Sequence, residues 1–211
     1  MPDFWSFKLR GFSLIELMVV IGLFGLAASV ITASYVSFER TQRSKSAALQ
    51  LKGDIRLVQN KAISGDKGPV GSLCQPANTT TLEGWYIQVS TGDDFYTIAG
   101  DCQDLTLASG EKDFESRTIK LPQGMTISKL SYGSGMSATT VAYPAAIFFR
   151  PLNRGVSFHD ARFGVDYFDN GVPKNVITSD QPFNIEVSDS SGENTYVVKI
   201  KTNGEIDESK L

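Results

Sequence analysis

From Phe12 to Ala33 the sequence reads FSLIELMVVIGLFGLAASVITA, apolar throughout except for Glu16, two serines and one threonine. No other stretch constrains the chain as strongly, because its length meets the ~20 residues that a helix needs to cross a bilayer. Lys8 and Arg10 lie just ahead of it. Basic residues on one flank stay on the cytoplasmic side, which places the remainder of the chain outside. Glu39, Arg40, Arg43 and Lys45 follow the run and weaken this orientation without reversing it. A secretory signal peptide fits poorly, since its apolar stretch is ~7–15 residues long and ends at a small-residue cleavage site. A plain anchor fits the length but not Glu16, because an ionised carboxylate in hydrocarbon costs ~2.5–3.5 kcal/mol.

The stretch RGFSLIELMVV, Arg10 to Val20, supplies a reason for that carboxylate. A basic leader, a glycine, an aromatic residue and then a glutamate five positions after the glycine resemble the class III signal peptide of type IV prepilins and type II secretion pseudopilins. The resemblance implies cleavage by a prepilin peptidase between Gly11 and Phe12, followed by N-methylation of Phe12. Glu16 then lies one helical turn from the new cationic amine, and opposite charges attract far more strongly in low dielectric than in water. By the same resemblance Glu16 is an assembly residue, pairing with the amine of a neighbouring subunit. Gly25 and Ser29, and Ala28 and Thr32, form small-xxx-small pairs that let helices approach closely. Many major pilins carry a proline where this chain has Ala33, so no proline breaks the helix here.

From Ser34 to Ser64 there is no proline and one interior glycine, Gly53. Ala48, Leu51, Ile55, Val58 and Ala62 recur at helical spacing, while Lys52, Asp54, Gln59 and Lys61 fall elsewhere, so the helix continues beyond the apolar run and lays one stripe on a globular domain. Gly65, Gly68 and Pro69 end it. Its segment LQLKGDIRLVQNKAISG is similar to the helix of GspH/FimT-type minor pilins, which closes on a basic residue, an alanine and an apolar residue, here Lys61, Ala62 and Ile63. After residue 70 short strand-like runs alternate with turn residues. They lie at 85–90, 95–99, 117–121, 125–130, 146–150, 163–168, 183–188 and 195–201, with hairpin turns expected at Asn170-Gly171 and Asn203-Gly204. YVVKIKTNGEI and IFFRPLNRGVSF also resemble the closing strands and the Phe/Pro/Gly segment of GspH/FimT domains.

The expected fold is α+β: a long N-terminal helix packed on an antiparallel β-sheet domain, as in pilins. Residues 1–11 are read as the leader, 12–33 as the transmembrane and filament-core part of the helix, 34–64 as its amphipathic continuation, and 65–211 as the extracytoplasmic β-rich domain. With 211 residues and 41% hydrophobic content the chain can build one ordinary core. Its net charge of −3 excludes a strong overall field for nucleic acid.

Little else in the sequence points to chemistry. YGSGMS lacks the Lys-Ser/Thr of a phosphate loop. His159, the lone histidine, is read as a surface or edge residue, with Asp160 on the opposite side of its strand. No nucleophile motif accompanies it, and the chain is not read as an enzyme. The acidic stretches at 93–104 and 166–171 lack the alternating ligands of a calcium loop and are read as solvated turns. Asn78-Thr79-Thr80 matches a glycosylation sequon, taken as accidental. No cofactor or metal is expected. In an extracytoplasmic domain, Cys74 and Cys102 favour a disulfide over two free thiols.

The leading reading is a minor pilin or pseudopilin that starts as a single-pass inner-membrane protein and assembles with other pilin or pseudopilin subunits into a pilus or pseudopilus. The alternatives are a major pilin, a minor pilin that captures DNA through Arg150, Arg154, Arg162 and Lys174, and a monomeric membrane-anchored domain.

Overall fold

The computed structural model describes residues 11–70, 72, 74, 80–104, 111–133, 138–153, 155–163, 167–169, 172–177 and 181–211, with the backbone alone at 30, 31, 33, 34, 104, 111, 112, 153, 163 and 169. The chain is α+β and divides into two compact units, Met1–Arg40 and Thr41–Leu211. Helix α1, Leu14–Ser64, contributes to both. It ends where Gly65 turns left-handed at φ 67°. The Gly65 N–H reaches the Ala62 carbonyl and the Asp66 N–H the Lys61 carbonyl. These two bonds satisfy last-turn carbonyls that would otherwise be orphaned, in the manner of a Schellman motif.

Two antiparallel five-stranded sheets make up the rest of the second unit. The first has the order β3-β2-β1-β6-β7, from β1 (Thr80–Val89), β2 (Phe95–Asp104), β3 (Glu111–Lys120), β6 (Ala145–Phe149) and β7 (Val156–Asp160). The second has the order β12-β11-β10-β4-β5, from β4 (Met125–Tyr132), β5 (Thr139–Val141), β10 (Phe183–Asp189), β11 (Tyr196–Ile200) and β12 (Ile206–Lys210). A small hairpin joins β8 (Phe168–Asp169) to β9 (Val172–Pro173).

Both sheets share one core with the second half of α1. Ala48, Leu51, Ile55, Val58 and Ala62 are all fully buried in it, joined by Trp85, Ile87 and Val89 of β1 and by Ile185, Val187 and Val198 of the second sheet. Phe158 of β7 stacks on Phe183 of β10, ring centroids 5.2 Å apart, tying one sheet to the other. Polar residues beside the helical stripe clip each flank. Tyr96 donates to Asp54 at 2.5 Å and Gln50 donates to the Lys120 carbonyl at 3.0 Å on the first sheet. Lys52 pairs with Glu208, and Gln59 donates to the Gly204 carbonyl at 3.0 Å, on the second. The polar residues at helical spacing therefore complete the packing that the apolar stripe begins.

Because strand side chains alternate, Tyr86, Ala146 and Phe148 point to the opposite face of the first sheet. There they form a second cluster with Ala99, Ala161, Tyr167 and Phe168. This corrects the strand expected at 163–168. Residues 161–163 form a 3-10 turn, Phe168 begins a two-residue bridge, and Tyr167 and Phe168 are both buried instead of alternating. Tyr167 and Phe168 set consecutive aromatic rings against the outer face of the sheet, and residues 164–166 lie outside the described residues. Of the expected hairpin turns, Asn203-Gly204 joins β11 to β12, with Gly204 at φ 86°. Asn170-Gly171 lies outside the described residues. Among the described residues, four strands fall outside the expected runs: β5, β7, β9 and β12.

Candidate functional site

At the start of α1, Gly11, Phe12 and Ser13 lie outside the helix. The Ser13 carbonyl accepts the Leu17 N–H at 3.2 Å, and its Oγ accepts the Glu16 N–H at 3.3 Å. Ser13 is thus the N-cap and Glu16 the third residue of the first turn, where a carboxylate also favours the positive end of the helix dipole. Phe12 is 80% exposed, and a Cβ added at Gly11 would meet nothing within 4 Å.

Beyond the cap the helix has no polar face. Leu14, Ile15, Leu17, Met18, Val19, Val20, Ile21, Leu23, Phe24 and Leu26 are all exposed, which covers every direction around the axis. Among the described residues none covers these side chains. Glu16 is the only charged residue from Gly11 to Phe38, and it too is exposed. Two hydroxyls in this stretch are turned back on the helix. Ser29 Oγ donates to the Leu26 carbonyl and Thr32 Oγ1 to the Ala28 carbonyl, both at 2.8 Å, so neither needs water. Gly22 and Gly25 have open space around them. Among the described residues no helix is long and apolar enough to cross a membrane. The side chains of Val30, Ile31 and Ala33, which extend the apolar run in the sequence, lie outside them.

The remaining sequence candidates are dispersed over the second unit. Cys74 and Cys102 form a disulfide with a Cα–Cα distance of 5.6 Å, both fully buried. The Thr80 hydroxyl, part of the sequon, donates to the Cys74 carbonyl at 2.9 Å, and Asn78 and Thr79 lie outside the described residues. Lys61 bridges Asp66 and Glu115 at 2.8 Å each and lies 4.0 Å from the centroid of the Trp85 ring. Burial works against its charge, but the two carboxylates outweigh that and hold its pKa above the ordinary lysine value.

His159, read as a surface or edge residue, does lie on β7 at the edge of the first sheet, but its side chain is fully buried among Phe148, Tyr167 and Phe168. Its Nδ1 lies 2.7 Å from the Lys174 carbonyl, which can only accept, so Nδ1 carries the proton. Nε2 therefore accepts from the Ser157 hydroxyl, also at 2.7 Å. Burial lowers the pKa to about 4, which leaves a neutral, doubly satisfied ring with no basicity for catalysis near neutral pH.

Of the four cations considered for DNA, two have aromatic or acidic neighbours in the structure. Arg162 donates to both carboxylate oxygens of Asp160 and lies 4.0 Å from the centroid of the Tyr143 ring. Arg150 lies 5.1 Å from the Phe168 ring centroid. The Lys174 carbonyl holds His159, and Arg154 lies outside the described residues. Among the described residues no group of three or more acidic, histidine or cysteine side chains is placed to hold a metal ion.

Among the described residues Gly11, Phe12 and Glu16 thus lie at the head of an exposed apolar helix, while Cys74 and Cys102 are joined within the second unit. Sequence reasoning missed Ser13, although the Ser-x-x-Glu spacing of a capping box was present at 13–16. Residues 7–32 match the prokaryotic N-terminal methylation motif, the signal of type IV pilin-like prepilins. No curated protein and no solved structure matches the chain. The motif supports a type IV pilin-like or pseudopilin subunit, a structural role, with processing by prepilin peptidase and assembly with other pilins.

Proposed function

We propose that this chain is a minor pilin or pseudopilin of the GspH/FimT kind. It is inserted once in the inner membrane through residues 12–33, with the domain at 65–211 on the extracytoplasmic side. Hydrolysis of the Gly11–Phe12 bond adds one water, leaving a carboxylate on the leader and an amine on Phe12. The amine, in its neutral form, takes a methyl group from a methyl donor that departs without it, and is cationic in its protonated form. The freed helix packs among those of other subunits in a pilus or a secretion pseudopilus, and Glu16 pairs with the amine of a neighbour.

The observation that carries this reading is a helix end apolar on every side, with one exposed carboxylate a single turn from the expected new amine. Such a surface is unstable in water, since each buried aliphatic or aromatic side chain is worth ~1.5–3 kcal/mol relative to exposure. Lipid satisfies the apolar side chains but not Glu16, whereas a bundle of like helices with cationic N-termini satisfies both. The GspH/FimT assignment draws on the helix ending in Lys61, Ala62 and Ile63 and on the β-rich domain. A major pilin of the same system is the neighbouring reading, and the abundance of the chain in purified filaments separates the two. The DNA-capturing variant is less favoured because Arg162 is held by Asp160.

The test is co-expression of the full chain with a prepilin peptidase and determination of the mature N-terminus by mass spectrometry. A new N-terminus at Phe12, absent in Gly11→Ala, is the expected result. The glycine has open space around it, so the substitution leaves the fold alone and reads the enzyme's requirement. An intact leader, under conditions that process a known prepilin, would overturn the proposal. In the processed chain, Glu16→Ala is expected to lower incorporation into filaments at least about tenfold while cleavage continues, as loss of a charge pair in low dielectric implies.

A further inference from the structure

We infer that Ser13 positions the scissile bond for the peptidase, by stopping α1 two residues short of it. The inference rests on the processing reading above and adds to it a capping role for Ser13, a residue inside the matched motif at 7–32.

Apolar surroundings favour backbone that is hydrogen-bonded within its own segment, so a helix in this sequence gains by growing toward its N-terminus. One further turn would carry the Gly11 carbonyl into the helical ladder, bonded to the Ile15 N–H. The peptide to be hydrolysed would then be shielded by its own helix. In the structure the first carbonyl engaged is instead that of Ser13, which receives the Leu17 N–H at 3.2 Å. The Ser13 hydroxyl takes the Glu16 N–H at 3.3 Å, occupying an orphan donor that an upstream turn would otherwise satisfy. Gly11 to Ser13 remain non-helical, with Phe12 exposed and open space at Gly11. The cap therefore does two things at once. It keeps the Gly11–Phe12 peptide out of the ladder, and it fixes Glu16 at the third position of the first turn, a constant offset from the bond.

Capping strength falls in the order Asn ≈ Ser > Thr ≈ Gly, with Ala and Val far weaker. This order differs from any order based on side-chain size or on the presence of a hydroxyl. It thus distinguishes capping from direct recognition of the serine by the enzyme.

The experiment is cleavage of the full-length chain in membranes by prepilin peptidase, with initial rates resolved into kcat and KM, for Ser13 and its Asn, Gly, Ala and Val variants. Ser13→Ala and Ser13→Val are expected to lower kcat/KM about fivefold, whereas Ser13→Asn and Ser13→Gly stay within about twofold of the original. Equal rates for Ser13→Ala and the original would overturn the inference, as would a Ser13→Gly chain as slow as Ser13→Ala. An uncleaved original chain would overturn the processing reading and this inference with it. Cleavage at Phe12 with rates indifferent to the cap would overturn this inference alone.

Discussion

The two halves of α1 are built from similar residues and meet opposite fates. Between Leu14 and Leu26 the apolar side chains surround the axis and are exposed. Between Ala47 and Ala62 most of them, Ala47, Ala48, Leu51, Ile55, Val58 and Ala62, occupy one stripe that is completely buried with the two sheets, and only Leu49 and Leu57 are exposed. The difference lies in the polar residues. In the second half Gln50, Lys52, Asp54, Gln59 and Lys61 flank the stripe and bond to named partners in the same chain. In the first half there is no such flank, and the lone charge is Glu16. A helix with a stripe is completed by its own fold, and one without sides is completed by its neighbours.

The sharpest way to break this comparison is to remove the same atoms from each half. Ile55→Ala leaves a cavity between helix and sheets and should cost ~2–5 kcal/mol of stability. Ile21→Ala should leave unfolding of the second unit within about 0.5 kcal/mol, as substitutions away from a packed core do. Denaturant unfolding of the full chain in detergent, followed by tryptophan fluorescence, measures both. Equal losses would mean that the first half is also packed within the chain.

A second contrast concerns covalent support. Replacing Cys74 and Cys102 together by alanine should cost about 3–4 kcal/mol in the loop-entropy model, read as a lower midpoint in the same titration. Processing at Gly11–Phe12 should be unaffected, because the disulfide belongs to the unit at Thr41–Leu211. A change in cleavage would show that the two halves depend on each other.

Acid tests the outer face of the first sheet. His159 titrates at about 4 when folded, against 6.5 when free. The folded state keeps it neutral while the unfolded chain takes up a proton, so its contribution is complete above pH 6.5 and is lost as the pH falls toward 4. The loss should reach about 3 kcal/mol by pH 4. Unfolding midpoints at several pH values, compared with His159→Gln, measure this share. An unchanged slope in the variant would remove His159 as its source.

The smallest effect is expected at the end of α1. Lys61→Met keeps the aliphatic stem over Trp85 but loses the pairs with Asp66 and Glu115, a change of about 1 kcal/mol for a partly exposed network. High salt should shrink the difference, and a salt-independent loss would point to packing instead of charge.

Much of the candidate site was legible because its information is local. The order of leader charge, Gly11, Phe12 and Glu16 occupies a few consecutive residues, and the stripe from Ala48 to Ala62 is a simple period. Ser13 was equally legible, but attention to charge passed over a hydroxyl whose signal is its distance from Glu16. The strands β7 and β12 were harder. VSFHD is a short run and IDESK lacks alternation, and they are strands because β6 and β11 supply their hydrogen-bonding edges. Tyr167 and Phe168 misled in the opposite sense, looking like a strand while serving as a cover for the outer face.

The sequence alone determined that a helix apolar on all sides follows Gly11, that one carboxylate stands near its start, and that an amphipathic continuation precedes a β-rich domain. Each follows from residue type and spacing along a few turns of chain. Only the tertiary structure decided that the strands divide into two sheets sharing the helix, that His159 is neutral and buried, and that Arg162 is tied to Asp160. These depend on which distant segments exclude water from one another, and no local pattern records that choice.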